Sequence, residues 1–173
     1  MPSGRFPTRS ASAGRTSPWS CAGSAEAANF REPEPMHVDL EWNGATGYQV
    51  TTPSGAAVTL DSDAREGPSP MQALLAAVAG CMAIDIVHVL KRMRRAPERL
   101  SARVSGERAD DHPRRFVSIR LEFTAAGGAV VQDRLEQSVE LSFAKYCSVL
   151  HSLAKDTETS WSARVEADGT DPA

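Results

Sequence analysis

The chain has few cysteines and none of the common motifs for metal or nucleotide binding. Three cysteines among 173 residues are too few for the disulfide scaffold of a small secreted protein. No CxxC, HExxH or Cys/His cluster at zinc spacing occurs, so the sequence predicts no metal site. GxGxxG and P-loop motifs are also missing, which argues against a nucleotide cofactor. We therefore expect no resident cofactor.

Long apolar runs and a strong charge imbalance are missing too. No run reaches the roughly 18–20 residues of a bilayer span. The most apolar stretch, 71–90, contains Gln72, Asp85 and His88 and so favours a core helix. The net charge of −3 gives no electrostatic indication of nucleic-acid binding. We expect a cytoplasmic protein with neither a membrane nor a nucleic-acid partner.

Residues 1–35 differ in composition from the rest of the chain. They hold five of the eleven prolines, are rich in Ser, Ala and Gly, and show no periodicity, which predicts disorder. The segment is rich in Arg and has no acid before Glu26, as is typical of a transit peptide. The favoured alternative is that translation begins at Met36, where the first patterned strand starts. Cys21 receives no role, and 36–170 is predicted to be one domain.

The folded part predicts an α+β domain in the order β-β-β-α-β-β-α-α-β, with mostly antiparallel strands. In the strand 116–123, alternation places Leu121 and its apolar neighbours on one face and Phe116, Arg120 and Glu122 on the other. The six strands are predicted at 37–42, 48–52, 56–60, 100–106, 116–123 and 159–167.

The first helix has the clearest start in the sequence. Ser69 is the expected cap, Pro70 takes the first helical position, and Gln72 completes a capping box. We expect the helix to run to about Arg95, before Pro97. Its first half has almost no polar face, which predicts burial on all sides between a sheet and a partner subunit. Two further helices are expected, one at 130–143 and one after Cys147.

Two cysteines lie in unlike settings 66 residues apart. Cys81 lies midway along the first helix, and Cys147 begins a later apolar segment. Each is framed by its own specific local sequence, which suggests a thiol pair that meets in the fold. The candidate chemistry is attack by one sulfur and resolution by the other.

Three phrases carry a resemblance to a known family. They are GPSPMQ at 67–72, Gly80-Cys81, and LSFAKYCSV at 141–149. In this order they resemble the OsmC/Ohr family, in its YhfA-like subgroup of OsmC-like proteins. The resemblance covers residues 37–167.

The resemblance implies an intertwined homodimer with the long cysteine helices buried at its centre and active sites at the subunit interface. Catalytic members are thiol peroxidases that reduce organic hydroperoxides in oxidative-stress defence. By motif, Cys81 is the attacking thiol and Cys147 the resolving thiol, and an external dithiol reduces the resulting disulfide. The apolar surroundings favour a fatty or aryl hydroperoxide over hydrogen peroxide.

The chain departs from the catalytic members at the residues that activate the thiol. In those members an arginine from the first strands contacts the thiolate, and a glutamate ten residues before the cysteine holds that arginine. The glutamate position is Met71 here, and no Lys or Arg occurs in 36–64. The candidates for a substitute are Arg65, Glu66, Arg108, Arg115 and Lys145. A further alternative is that Cys147, beside Lys145 at a helix start, is the more acidic thiol and reverses the roles.

Other interpretations of these residues stay open. A lone Cys81 would be a small core hydrophobe. Asp85, one turn after Cys81 on the same side, could orient a water or an arginine, or make a polar contact at the dimer interface. His88 and His151 are candidates for proton transfer or simple polar positions. The missing Arg/Glu pair favours an alternative function, that of a non-catalytic dimeric protein that binds a small molecule or senses redox state.

Overall fold

The computed structural model describes residues 35–166. The chain divides into two units, Met1–Met36 and His37–Ala173, and almost all described residues belong to the second. The predictions for 1–34, Cys21 among them, and for the end of the domain at 170 fall outside the described residues. Within them, the predicted element order is confirmed.

The domain opens with a three-stranded antiparallel meander of β1 (Asp39–Trp42), β2 (Gly47–Thr51) and β3 (Ala57–Asp61). The turn before β2 begins at Asn43, whose side-chain oxygen accepts the N–H groups of Ala45 and Gly47. Each strand lies within two residues of its predicted bounds. One face of the meander is apolar, and several of its side chains are exposed in the chain: Val38, Leu40, Trp42 and Val58.

The second sheet has the order β4 (Arg99–Arg108), β5 (Phe116–Ala126) and β6 (Glu158–Glu166). β4 and β5 are antiparallel, but β5 and β6 are parallel. The prediction of mostly antiparallel strands therefore holds for the other strand pairs but not for β5 and β6. The chain between β5 and β6 contains the helices after β5, and such a crossover is what parallel pairing requires.

The prediction of which β5 side chains face the core is correct along most of the strand and wrong at its first residue. Leu121 and its apolar neighbours are buried, as alternation predicted, but Phe116 is also buried. The β4–β5 register shifts between Glu107 and Arg108, and such a bulge reverses the side on which the residues beyond it, here Phe116, point. Phe116 then packs over Gly106, where a β-carbon would lie 2.6 Å from the ring. Gly106 thus makes room for the ring.

The long helix α1 (Pro70–Arg92) begins as predicted and ends earlier than predicted. Ser69 and Gln72 form the full capping box, with Pro70 at the start. The helix stops three residues before the predicted Arg95, because Arg94 adopts a left-handed conformation with φ 59°. Its N–H donates to the Lys91 carbonyl and that of Arg95 donates to the Leu90 carbonyl, which is a Schellman closure.

Only one face of α1 is buried within the chain. That face packs on β4 and on the helices after β5, and its fully buried residues are Val78, Met82, Ile86 and Leu90. The opposite face is open: Ile84 is 72% exposed, and Gly80 and His88 are exposed as well. The predicted burial of α1 on all sides is therefore not found within this chain. By length and composition α1 could cross a membrane, but the core helix of a soluble protein has the same character.

After β5 the chain forms α2 (Gln132–Leu141), a π-helical turn at Ser142–Tyr146, here called the π segment, and α3 (Ser148–His151). The helix predicted at 130–143 thus begins two residues later and changes its winding at Ser142. α2 packs on α1 and β6. This arrangement brings the π segment and the start of α3 against α1.

Candidate functional site

Cys81 lies on α1 between the buried and the open face. Its neighbour Met82 is fully buried, Gly80 is exposed, and Cys81 itself is half-buried against the core. The sulfur of Cys81 is free, as is that of Cys147. A half-buried thiol on a rigid helix can meet both the interior of the domain and a molecule approaching the open face.

Cys147 is fully buried where the π segment meets α3. It is the N-cap residue of α3, and its Sγ accepts the N–H of Leu150 at 3.4 Å. Its own N–H donates to the Ser142 carbonyl at 2.9 Å, which closes the π segment. The thiol is thus held by backbone contacts on both sides and has no exposed surface of its own.

The structure brings the two thiols together, and the surroundings of Cys147 shift its pKa. Burial raises the pKa of Cys147 to about 11, against a weaker lowering by the Leu150 N–H. The nearby Cys81 thiol and the Asp85 carboxylate contribute smaller parts of this raised pKa. Cys147 therefore stays protonated at neutral pH. The hypothesis that a helix start and Lys145 make it the more acidic thiol is wrong, because burial outweighs the single N–H of so short a helix.

Asp85 joins the two halves of the site. It lies one turn after Cys81 on α1, and its Oδ2 accepts a hydrogen bond from Ser142 Oγ at 2.9 Å. Ser142 is fully buried and is the first residue of the π segment. No role was predicted for Ser142 from the sequence. The available signal was a polar side chain on the apolar stripe of the helix predicted at 130–143, facing an acid on another helix.

The basic residues suggested as substitutes for the missing arginine are engaged elsewhere. Arg115 pairs with Asp156 and also donates to the Phe116 carbonyl. Arg108 donates to the Arg114 carbonyl. Lys145 is exposed, with its Nζ 5.4 Å from the centre of the Tyr146 ring. None of these cations is among the groups that shift the pKa of Cys147.

Arg65 and Glu66 lie in a loop organised by a buried carboxylate. Asp61, only 1% exposed, accepts the backbone N–H groups of Glu66, Asp63 and Arg65. These bonds, led by that of Glu66, hold the pKa of Asp61 below its usual value. The Arg65 side chain itself is 81% exposed and lies 4.0 Å from Asp63. Asp61 thus ties the base of the loop by three hydrogen bonds, while the Arg65 side chain points into solvent.

A groove of about 470 Å³ lies on the open face of α1. Ile84, three residues after Cys81, is part of its apolar wall, and His88 and Lys91 form its polar end. The groove is open rather than enclosed and lacks a cover within the described part of the chain. His151, the other histidine considered from sequence, is exposed near a separate small pocket.

Comparison with known proteins adds an independent line of observations. The family model described as OsmC-like protein matches residues 61–162. Protein YhfA of Escherichia coli strain K12 is 31% identical over 133 residues, which cover 76% of this chain and 99% of that protein.

Solved structures resemble the chain over a similar length. A hypothetical protein from Aquifex aeolicus VF5 matches with a TM-score of 0.70 and 30% identity, over 79% of this chain and 99% of that one. An organic hydroperoxide resistance protein OsmC from Legionella pneumophila matches with a TM-score of 0.55 and 16% identity, over 77% and 98%. The second likeness, at so low an identity, concerns the fold alone.

Proposed function

The chain belongs to the OsmC-like protein family, and from this premise we propose that it is a two-cysteine thiol peroxidase that reduces organic hydroperoxides. Cys81 is the attacking thiol and Cys147 the resolving thiol. The observation that carries the proposal is the meeting of these two thiols, 66 residues apart in sequence, at one point of the fold. The Legionella protein of the same fold is an organic hydroperoxide resistance protein, which agrees with this substrate class.

The assignment of roles follows from exposure and protonation. A hydroperoxide must reach the attacking sulfur, and Cys81 is half-exposed while Cys147 is fully buried. The attacking group must be a thiolate, and the raised pKa of Cys147 keeps that thiol protonated at neutral pH. Both considerations favour Cys81 as the first to react.

The proposed cycle has three steps. The Cys81 thiolate attacks one peroxide oxygen, the O–O bond breaks, and the departing alkoxide takes a proton and leaves as the alcohol. Cys81 is then a sulfenic acid. Cys147 attacks that sulfur, a disulfide forms, the S–O bond breaks, and water leaves. An external dithiol reduces the disulfide through a mixed disulfide and restores both thiols.

The surroundings of Cys81 favour an apolar substrate. The groove on the open face of the same helix, which Cys81 itself does not line, has an apolar wall that includes Ile84 and Val87. An apolar surface gains free energy from a hydrocarbon chain or an aryl ring and little from hydrogen peroxide. Fatty and aryl hydroperoxides are therefore the proposed substrates.

The test is the intact mass of the reduced full-length chain after one equivalent of cumene hydroperoxide, followed by peptide mapping. We expect a loss of two hydrogens that maps to a Cys81–Cys147 disulfide, and a slower reaction with hydrogen peroxide. An unchanged mass with both thiols intact would contradict the peroxidase proposal.

That contrary result would favour the second candidate function, a dimeric protein that binds a small apolar molecule. A disulfide that forms slowly and equally with both peroxides would favour a redox sensor instead. The specific observation behind these alternatives is that Met71 stands where catalytic members have an acid and that Arg115, a candidate substitute cation, is paired with Asp156.

We also propose that the protein is a cytoplasmic homodimer that acts without membrane or nucleic-acid partners. Two apolar surfaces of the chain support dimerisation: the open face of α1 and the exposed face of the β1–β3 sheet. Exposed apolar patches on this scale are typical of protein interfaces. The small net charge of −3 agrees with the absence of a nucleic-acid partner.

Gly80 offers a direct test of the dimer. A glycine inside a helix costs about 0.5–1 kcal/mol relative to alanine, and a β-carbon at Gly80 would meet nothing within 4 Å in this chain. A close approach by a second α1 would explain the glycine. We expect Gly80→Leu to convert the dimer to a monomer, measured by size-exclusion chromatography with light scattering.

Ser160→Leu is the matched control, because it adds the same side chain at an exposed position on the polar face of the second sheet. This variant should remain a dimer. A wild-type monomer, or a Gly80→Leu variant that still dimerises, would remove α1 from the interface.

A further inference from the structure

The two-cysteine cycle needs a group that moves a proton in its second step. When the Cys147 sulfur joins the Cys81 sulfenic acid, the Cys147 thiol must lose its proton, and the departing hydroxyl must gain one to leave as water. Cys147 is buried and capped by the Leu150 N–H, so bulk water does not reach its proton directly. A base beside both sulfurs would carry out the transfer.

Asp85 is placed for this transfer. It lies one turn from Cys81 on the same side of α1, and its charge acts on the Cys147 thiol. Its Oδ2 is occupied by the Ser142 hydroxyl, which fixes the carboxylate against the π segment. Within residues 35–166, no donor reaches Oδ1, and because no buried side-chain oxygen in this range lacks a partner, Oδ1 has some exposed surface. Oδ1 is therefore free to take a proton.

We propose that Asp85 is the base of the condensation step, a role that rests on the peroxidase cycle proposed above. Its carboxylate takes the proton from the Cys147 thiol as the S–S bond forms. The Cys81 S–O bond breaks, and Asp85 returns the same proton to the leaving oxygen, which departs as water. Asp85 ends the step ionised, as it began. No further oxidant or reductant is required, because the sulfenic oxygen came from the hydroperoxide.

Ser142 is the positioning residue of this arrangement. It holds Asp85 through its hydroxyl, and its carbonyl accepts the N–H of Cys147. One buried serine therefore connects the base on α1 to the main chain of the thiol that it deprotonates. The other titratable groups near the Cys147 thiol are Cys81 on α1 and, within four residues of Cys147 in sequence, the exposed Lys145, Tyr146 and His151.

The experiment follows the decay of the Cys81 sulfenic acid after a single equivalent of cumene hydroperoxide, in the full-length chain without reductant. Timed quenching with a 1,3-diketone traps the sulfenic acid, and intact mass separates this adduct from the disulfide. The decay is timed separately from the formation, so an effect on the first step does not enter. Asp85→Asn keeps an acceptor for Ser142 but removes the base.

We expect Asp85→Asn to slow the decay by roughly 10²-fold or more at neutral pH, the usual contribution of a general base. In this variant the rate should climb about tenfold per pH unit toward the Cys147 pKa, which loss of the Asp85 charge lowers from about 11, because only the thiolate can then react. The wild type should rise far less steeply. Ser142→Ala keeps the carboxylate and should show a smaller loss with the shallow wild-type pH profile.

Each other result has a defined meaning. Equal decay rates in wild type and Asp85→Asn overturn the role of Asp85 and leave the peroxidase standing. A shallow profile in Asp85→Asn, with equal losses in Ser142→Ala, reduces Asp85 to a structural contact. If Asp85→Asn does not fold, the wild type and Asp85→Glu provide the test. A decay rate that rises steeply with pH in the wild type overturns the proposal. A decay rate that rises only shallowly with pH in Asp85→Glu supports it. Absence of both sulfenic acid and disulfide in the wild type removes the proposed function itself.

Discussion

Cys81→Ser is expected to reduce hydroperoxide consumption to the uncatalysed rate. Serine has nearly the same shape as cysteine but is not ionised at neutral pH and is a far weaker nucleophile. The half-buried site on α1 should accept the smaller hydroxyl with little change in stability. The measurement is the loss of cumene hydroperoxide during a single turnover, with folding checked by circular dichroism.

Cys147→Ser should fail at a different step. The variant should consume one equivalent of hydroperoxide and then stop, with one added oxygen on Cys81 that a 1,3-diketone traps. The wild type should instead lose two hydrogens. The reason is that a hydroxyl at 147 cannot form a disulfide, while the attacking thiol is untouched.

Cys21→Ser is the matched control for both variants, because it removes the remaining cysteine, to which no role is assigned. It should behave as the wild type. If Cys147→Ser is inert and Cys81→Ser still accepts an oxygen, the roles of the two thiols are reversed. That outcome would mean that the burial of Cys147 is relieved before the reaction.

Local rules predicted the parts of the fold that local residues determine. The capping box of Ser69 and Gln72 placed the start of α1, and strict alternation identified Leu121 as a core residue. The end of α1 was not predictable in the same way. It depends on Arg94, an arginine in a left-handed conformation in which glycine is usual.

Features that depend on contacts between distant parts of the chain could not be predicted from the sequence. The burial of Phe116 follows from a bulge in its pairing with β4, and the parallel direction of β6 follows from where the helices return the chain. The alternation of apolar and polar residues within one strand indicates neither the bulge nor the direction of β6. The same holds for the Cys147 pKa: its helix start and Lys145 are visible in sequence, but the burial that decides the direction is not.

The main residues of the site could be predicted from the sequence, but the contacts between them could not. The two cysteine motifs suggested a pair, and Asp85 was a candidate because of its spacing from Cys81. The hydrogen bond from Ser142 reaches Asp85, 57 residues earlier in the sequence, and the π segment that presents Ser142 has no periodicity to detect. The departure from regular winding at Ser142–Tyr146 is what gives Ser142 and Cys147 their shared place beside α1.

The second large effect concerns the sheet that supports this site. Leu121 is fully buried on β5, the central strand of its sheet, between Val104 and Trp161 in the register. Leu121→Ala should lower the free energy of unfolding by about 2–5 kcal/mol, from lost burial and the cavity left behind. For a chain of this size, that corresponds to a fall in Tm of roughly 5–15 °C. Urea and thermal unfolding at one fixed protein concentration measure it, since the proposed dimerisation would make stability concentration-dependent.

Glu122→Ala is the matched control, because the adjacent side chain points to the exposed face of the same strand. It faces Arg103 in the register, and loss of such an exposed cross-strand pair should change the free energy of unfolding by less than about 1 kcal/mol. The comparison tests the facing of β5 directly, since a slip of one residue would exchange the two effects. A larger loss from Glu122→Ala than from Leu121→Ala would place the core on the other side of the sheet, away from α1 and its thiol.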